Sequence, residues 1–197
     1  MIKSQRRTLP LFPLNTVVFP GGRLPLRVFE QRYLDMVKQA IADQSAFGIC
    51  AIREGSEAGA PALPHAVGTQ VQIIDWDMPE TGILQIETQA LDRFVIRDLH
   101  TESSGLIVGQ VEAISQEPAI AVPEELEIAV EILRQIISEY GITRFPEPHD
   151  FNDAVWVGYR LSEVLPLKLS VRQNLLEMND SVTRLRLLTE FLKKHMN

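Results

Sequence analysis

The residues best equipped for chemistry in this chain of 197 residues are few and scattered. His149-Asp150 could form a base with the carboxylate that orients it; the same pair also suits the turn ahead of a helix. His65, His100 and His195 lie far from it and from one another, so no two histidines share a metal-ligand spacing. Asp75 and Asp77 flank Trp76, and two residues apart on an extended chain they share a side. A hard cation there would need about six oxygens, and a polar hairpin end accounts for the pair without one. Ser56 lies in a loop-like stretch without the strand–helix setting of a nucleophile elbow. Glu124, Glu125 and Glu127 sit where a helix start favours negative charge. No Gly-x-x-x-x-Gly-Lys-Ser/Thr loop is present, and Gly21-Gly22 is followed by Arg23-Leu24-Pro25 instead of a helix. The expectation is no catalytic residue, no metal and no cofactor.

Composition narrows the remaining classes. The formal net charge is -7, which argues against wholesale binding to nucleic acid or to anionic membrane. Cys50, the only cysteine, lies in the apolar run Phe47-Gly-Ile-Cys-Ala-Ile52 and reads as a buried, inert thiol. The basic start, Met1 to Arg7, is not followed by an uninterrupted apolar stretch of signal length, because Pro10, Pro13 and Asn15 break it up. No segment approaches the roughly 20 apolar residues of a membrane helix. The expected address is the cytoplasm, with no membrane partner.

Two textures divide the chain. Up to about Ser115 the pattern is strand-like. Between Leu9 and Tyr33, apolar residues alternate with Pro10, Pro13, Pro20 and Pro25, which predicts short extended pieces at Leu9–Leu14, Val17–Phe19 and Leu24–Val28. A helix is predicted from near Phe29, with Tyr33, Met36, Val37, Ala40 and Ile41 on one face. Phe47–Ile52 reads as a buried strand and Glu54 to Pro64 as a mobile loop. Period-two alternation marks strands over Val67–Ile73 and Leu84–Thr88, joined by a hairpin loop from Asp75 to Gly82. Strands near Phe94–Ile96 and Leu106–Ala113 complete a small barrel or sandwich. Glu117–Pro123, with a proline near each end, reads as a linker. Four helices follow. The first carries Leu126, Ala129, Val130, Leu133, Ile136, Ile137 and Tyr140, with Gly141 as its cap. The second runs from Asp153 to Leu165. The third starts at Ser170 with a capping box to Gln173. The fourth is capped by Asp180 and bears Val182, Leu185, Leu188, Phe191 and Leu192. Short links between them predict a bundle.

Leu9-Pro-Leu-Phe-Pro-Leu-Asn-Thr-Val-Val-Phe-Pro-Gly21 resembles the opening of the N-terminal, substrate-binding domain of Lon proteases. The likeness continues through Pro25-Leu26, Phe29-Glu30, Arg32-Tyr33, Val67-Gly68-Thr69 and Leu91-Asp-Arg-Phe-Val-Ile96. It resumes in Leu165-Pro-Leu-Lys-Leu-Ser-Val-Arg-Gln-Asn-Leu-Leu-Glu177 and Arg184-Leu-Arg-Leu-Leu188. The resemblance implies an α+β fold: a PUA-like β pseudobarrel with one or more helices, over residues 1–117, then a helical bundle over 124–197. A full Lon enzyme adds ATPase and serine–lysine peptidase modules, whose motifs do not appear here. The resemblance therefore implies a stand-alone recognition domain without catalysis.

Large aromatic residues off the core faces mark candidate contact surfaces. On the second helix, Trp156 and Tyr159 fall opposite the stripe of Ala154, Gly158 and Leu161; packing against the barrel accounts for them equally. Trp76 and Met78 sit at the hairpin end. These four residues are the candidate polypeptide-binding set, in a groove lined by barrel and bundle, with Met78 and Met36 as adaptable contacts. The expected partners are unfolded or apolar polypeptide segments, or a partner protein. The alternative is an RNA-binding PUA-like module, for which Lys3, Arg6, Arg7 and the cluster Arg184, Arg186, Lys193, Lys194 supply the basic residues. Glu30 and Arg93 are expected to be paired or hydrogen-bonded.

Overall fold

A computed structural model describes residues 6–140, 145 and 147–195. Lys3, the Tyr140 side chain and the Gly141 cap lie outside the described residues. The chain divides into two compact units between Ser115 and Gln116. The described residues form a mixed α/β structure with one mainly antiparallel sheet and five α-helices.

The first unit contains β1 (Arg7–Leu14), β2 (Arg23–Val28), α1 (Gln31–Asp43), β3 (Phe47–Glu54), β4 (Leu63–Pro64), β5 (Val67–Glu80), β6 (Ile83–Thr101) and β7 (Ile107–Ala113). Pairing runs β1-β7-β6-β5-β3, and β3 returns to β1 in parallel, so five strands close a circuit. The prolines of β1 fit because that strand changes partner along its length. Arg7–Leu11 pairs with β7, Leu11–Leu14 with β3, and only Leu11 has both neighbours. Pro10 and Pro13 lie on either side of it, where one edge is unpaired and a missing amide donor is tolerated. Pro25 sits in β2, whose one partner is β6.

β1 and β3 are buried on both faces, which is why they read as continuous apolar runs. Phe12, Phe47, Val71, Leu84 and Ile86 pack with Tyr33, Met36 and Val37 of α1. Leu9, Leu11, Cys50, Phe94, Ile107 and Val111 form a second cluster. Gly48 and Gly68 bracket Phe94 there: a Cβ on either would lie 2.6 or 2.8 Å from its Cζ.

Four sequence expectations change in this unit. Val17–Phe19 is buried but forms no strand. α1 begins at Gln31, after Glu30. Leu84–Thr88 and Phe94–Ile96 belong to one 19-residue strand, β6. The predicted Asp75–Gly82 loop is strand as far as Glu80, with the turn at Thr81-Gly82, where Gly82 takes φ 84°.

The second unit holds a 3₁₀ turn at Glu124–Leu126, then α2 (Glu127–Tyr140), α3 (Ala154–Val164), α4 (Leu169–Glu177) and α5 (Ser181–His195). Asp153 caps α3, and the same Oδ1 accepts from Ile120 N at 3.1 Å and Val155 N at 3.0 Å. Ala154 N donates to Ile120 O and Val122 N to Asn152 O. The stretch read as a linker is therefore tied into the helical unit. α4 starts after Lys168 with no side-chain cap; the Ser170–Gln173 box does not form, because Ser170 lies inside the helix, and the Gln173 amide donates to Glu177. Asp180 caps α5 as expected, accepting from Thr183 N and Oγ1.

Arg184 holds this unit together. It is 0% exposed. Its Nε donates to Leu175 O at 3.0 Å, and its Nη2 donates to Met178 O at 2.7 Å and to Glu117 Oε1. Its guanidinium lies 4.3 Å from the centre of the Tyr159 ring, and the Tyr159 hydroxyl donates to Glu117 at 2.8 Å. Gly158 leaves room for it, since a Cβ there would come within 3.4 Å of Arg184 Cδ.

Removing one member of such a pair strands the other. Arg184→Met is expected to cost about 3–5 kcal/mol in chemical denaturation, and Glu117→Gln on that background is expected to recover part of the loss. Equal stability of wild type and Arg184→Met would contradict the assigned role. Thr183 holds the Asp180 carboxyl below its ordinary value. Stability from that depression is present above the ordinary carboxylate range and is lost as pH falls through the depressed value. The gap in melting temperature between wild type and Asp180→Asn is thus expected to be full at neutral pH and to shrink in acid; a gap that grows in acid would contradict it.

Candidate functional site

The end of the β5–β6 hairpin is where exposed apolar residues meet an organised backbone. Its register decides which side chains share a face. In β5, Ile73 pairs with Thr88 and Asp75 with Glu87, so Ile74 is an extra residue, a bulge. A bulge reverses the alternation beyond it. Without it, Asp75 and Asp77 would continue the inward face of Val71 and Ile73. With it, Trp76 falls opposite Ile86, which itself lies opposite Leu26 of β2. The row Leu26–Ile86–Trp76 runs from the buried Ile86 of the core to a Trp76 that is 52% exposed. Met78 follows two residues on, at a further register shift between Asp77 and Glu80, and it too is exposed. Ile74 is exposed in the bulge. Phe29, 61% exposed, follows the Val28–Leu84 pair at the end of β2.

The opposite face carries the rows Pro25–Glu87–Asp75 and Arg27–Gln85–Asp77. Together with Leu26, Ile86 and Trp76 they line a cleft of about 390 Å³. Asp75 Oδ1 accepts from Trp76 N at 2.9 Å, and Asp77 Oδ1 accepts from Met78 N at 2.8 Å. β3 pairs with β5 only at Thr69–Val71, so beyond Val71 this edge of β5 has no strand neighbour. Two of its amides are thus already taken by adjacent carboxylates. This blunts the edge as a template for another strand.

The helical candidates have other roles. Tyr159 is 5% exposed, clamped between Glu117 and Arg184, and offers no open surface; its hydroxyl needed a buried acceptor, a need invisible in helical periodicity. Trp156 is half-buried and packs edge-on against Phe151 with ring centres 5.2 Å apart, and against His149 at 5.7 Å. Met36 is buried in the core and cannot serve as an adaptable contact. Phe29 and Ile74 were missed. Phe29 reads as a helix start, and Ile74 gains meaning only through the bulge.

The chemical candidates are dispersed. His149 Nε2 contacts Phe145 O at 2.9 Å, and Asp150 Oδ1 accepts from Asn152 N, so the two form no dyad. Ser56 Oγ donates to Ala58 O on the surface. Burial raises the Cys50 thiol far above its ordinary pKa. Among the described residues no group of three or more His, Cys, Asp or Glu could hold a metal ion. No described helix is long and apolar enough to cross a membrane. Arg184 leaves the supposed basic cluster, because it is buried. Arg6 is spent on Glu112 at 3.0 Å, a carboxyl that Arg6 and Arg97 together hold below its ordinary value.

The family model of the ATP-dependent protease La (Lon) substrate-binding domain matches residues 8–194. The chain belongs to the Lon substrate-binding domain family. A Lon protease of Anaeromyxobacter dehalogenans is 27% identical over 197 residues, covering 94% of this chain and 23% of that protein. Lon protease 2 of Myxococcus xanthus is 26% identical over 200 residues, covering 95% and 24%. The chain therefore spans about a quarter of the length of these curated relatives. A solved Lon N-terminal domain protein from Xanthomonas campestris is 34% identical with a TM-score of 0.78, covering 92% of this chain and 96% of that one. The N-terminal domain of a Mycobacterium avium complex Lon protease has a TM-score of 0.68 at 16% identity, covering 96% and 100%, and shares the fold.

The residues that carry the Lon resemblance are mostly architectural. Phe12 stacks on Tyr33 with ring centres 4.0 Å apart, Glu30 pairs with Arg32 at 3.0 Å, and Arg93 and Arg184 are buried. Cys50 is buried with Leu9, Leu11, Phe94, Ile107 and Val111 as a core residue. It is expected to resist iodoacetamide in the native protein and to react fully in denaturant. Stoichiometric labelling of the folded protein within minutes would contradict its burial.

Proposed function

We propose that this chain binds apolar segments of unfolded polypeptides, or the apolar surface of a partner protein, as a non-catalytic recognition domain acting in the cytoplasm. In this reading the unit ending at Ser115 is the PUA-like pseudobarrel of a Lon-type recognition domain and the unit from Gln116 on carries its helical bundle. The contact face is the hairpin end of β5–β6, with Trp76 and Met78 at its centre and Ile74 and Phe29 beside them. The observation that carries the reading is the half-exposed Trp76 in register with Ile86 and Leu26. An apolar row that starts in the core and ends in water is a ready surface for further burial.

The driving force is removal of apolar area from water, about 25 cal/mol per Å², reduced by the cost of ordering the bound segment. An aromatic anchor beside a flexible thioether tolerates varied sequences. Trp156, packed into its own aromatic cluster, supports the helical unit in this reading and makes no contact with the bound chain.

The test is a titration with a permanently unfolded, carbamidomethylated polypeptide, followed by tryptophan fluorescence and calorimetry. Saturable binding is expected. Trp76→Ala with Met78→Ala is expected to weaken it about tenfold or more, which is about 1.4 kcal/mol per factor of ten, with melting unchanged. Trp156→Phe is expected to bind like wild type. Absence of saturable binding, or equal affinity of the hairpin variant, would overturn the reading.

A further inference from the structure

The charge around this apolar face selects among the segments that could cover it. From Ile74 to Glu87 the hairpin end carries Asp75, Asp77, Glu80 and Glu87 and neither lysine nor arginine. Its neighbour β2 contributes Arg23 and Arg27. Arg23 lies 3.5 Å from Glu87, so part of its charge is already answered. Asp75, Asp77 and Glu80 are exposed, and the two aspartates flank the tryptophan at the open edge of β5. Each spends one oxygen on a backbone amide, which fixes the carboxylates at the strand edge, on the sheet face opposite Trp76. The same hydrogen bonds occupy two edge donors, so a bound chain gains little from main-chain pairing here and must be held by its side chains.

We infer that the occupant of this face is an extended polypeptide segment in which apolar residues alternate with, or adjoin, lysine or arginine. The inference rests on the polypeptide-binding reading above and adds a charge rule to it. Lying along the open edge of β5, the segment turns apolar side chains to Trp76 and Met78, while its ammonium or guanidinium groups, alternating to the other sheet face, reach Asp75 and Asp77, with Glu80 nearer the turn. An acidic segment of equal hydrophobicity meets like charges and binds less well. The chain's net charge of -7 adds attraction at longer range.

Three unstructured peptides of equal length and equal apolar content provide the test, their polar positions filled with lysine, serine or glutamate. Their affinities for the whole chain are measured at low and at high salt. The expected order at low salt is lysine, then serine, then glutamate, with about three- to tenfold between neighbours, because exposed ion pairs are individually weak. The spread is expected to collapse at high salt. Asp75→Asn with Asp77→Asn removes the charge but keeps the Oδ1 acceptors for the edge amides. This variant is expected to lose the lysine preference, to keep its affinity for the serine peptide and to melt like wild type. Equal affinities for all three peptides, or a preference that survives the double asparagine variant, would overturn the charge rule and leave the docking face standing. Saturable binding of none of the three would overturn both.

Discussion

Strict alternation of side chains is the constraint on which the first unit depends. A strand shows every second residue to each face, so a 19-residue strand that serves three neighbours would lose its core face unless its pleat could be reset. β6 pairs with β2, β5 and β7, and the ladders it forms with β5 and β7 shift register four times in all. Each shift resets which residues stand opposite one another along these ladders. The shift at Ile74 has a further consequence at the hairpin end. It places Asp75 and Asp77 outward and brings Trp76 into line with the core residue Ile86.

The helical unit solves a different problem. Of its helices α4 has only 9 residues and no side-chain cap. A buried cation anchored on the α4 end, on the segment at Glu117 and on the Tyr159 ring fixes their arrangement. Such a group specifies geometry more than it adds stability, since replacing the whole set by apolar residues can be neutral. The Lon likeness of Arg184-Leu-Arg-Leu-Leu188 thus begins with a residue whose role is architectural. One basic residue fewer faces water, which further weakens an RNA-binding interpretation.

Much of this was legible in the residues. The buried strand at Phe47–Ile52, the helix bearing Tyr33 and Val37, and the Asp180 cap follow from periodicity and local hydrogen bonding. So does the break after Leu165 that Pro166 enforces. Trp76 and Met78 were legible as off-core apolar residues, but the alignment of Trp76 with the core residue Ile86 was not. A bulge leaves no mark in composition, and Asp-Trp-Asp reads as a turn until the ladder is known. Tyr159 and Arg184 misled for a related reason. Each looks solvent-facing by type and phase, and each is buried against the other and Glu117, with the Leu175 and Met178 carbonyls accepting further Arg184 protons. Glu117 itself hid just ahead of Pro118, at the start of what read as a linker.

The account's central claim is that the β5–β6 hairpin end is the contact face for apolar polypeptide. Nuclear magnetic resonance of the isotopically labelled whole chain, titrated with an unfolded polypeptide, tests it most directly. The Trp76 indole, the Met78 methyl and the Phe29 ring should shift together and saturate at one ligand concentration, while Trp156 stays still. Saturating shifts confined to other surfaces, with Trp76 and Met78 unmoved, would contradict it.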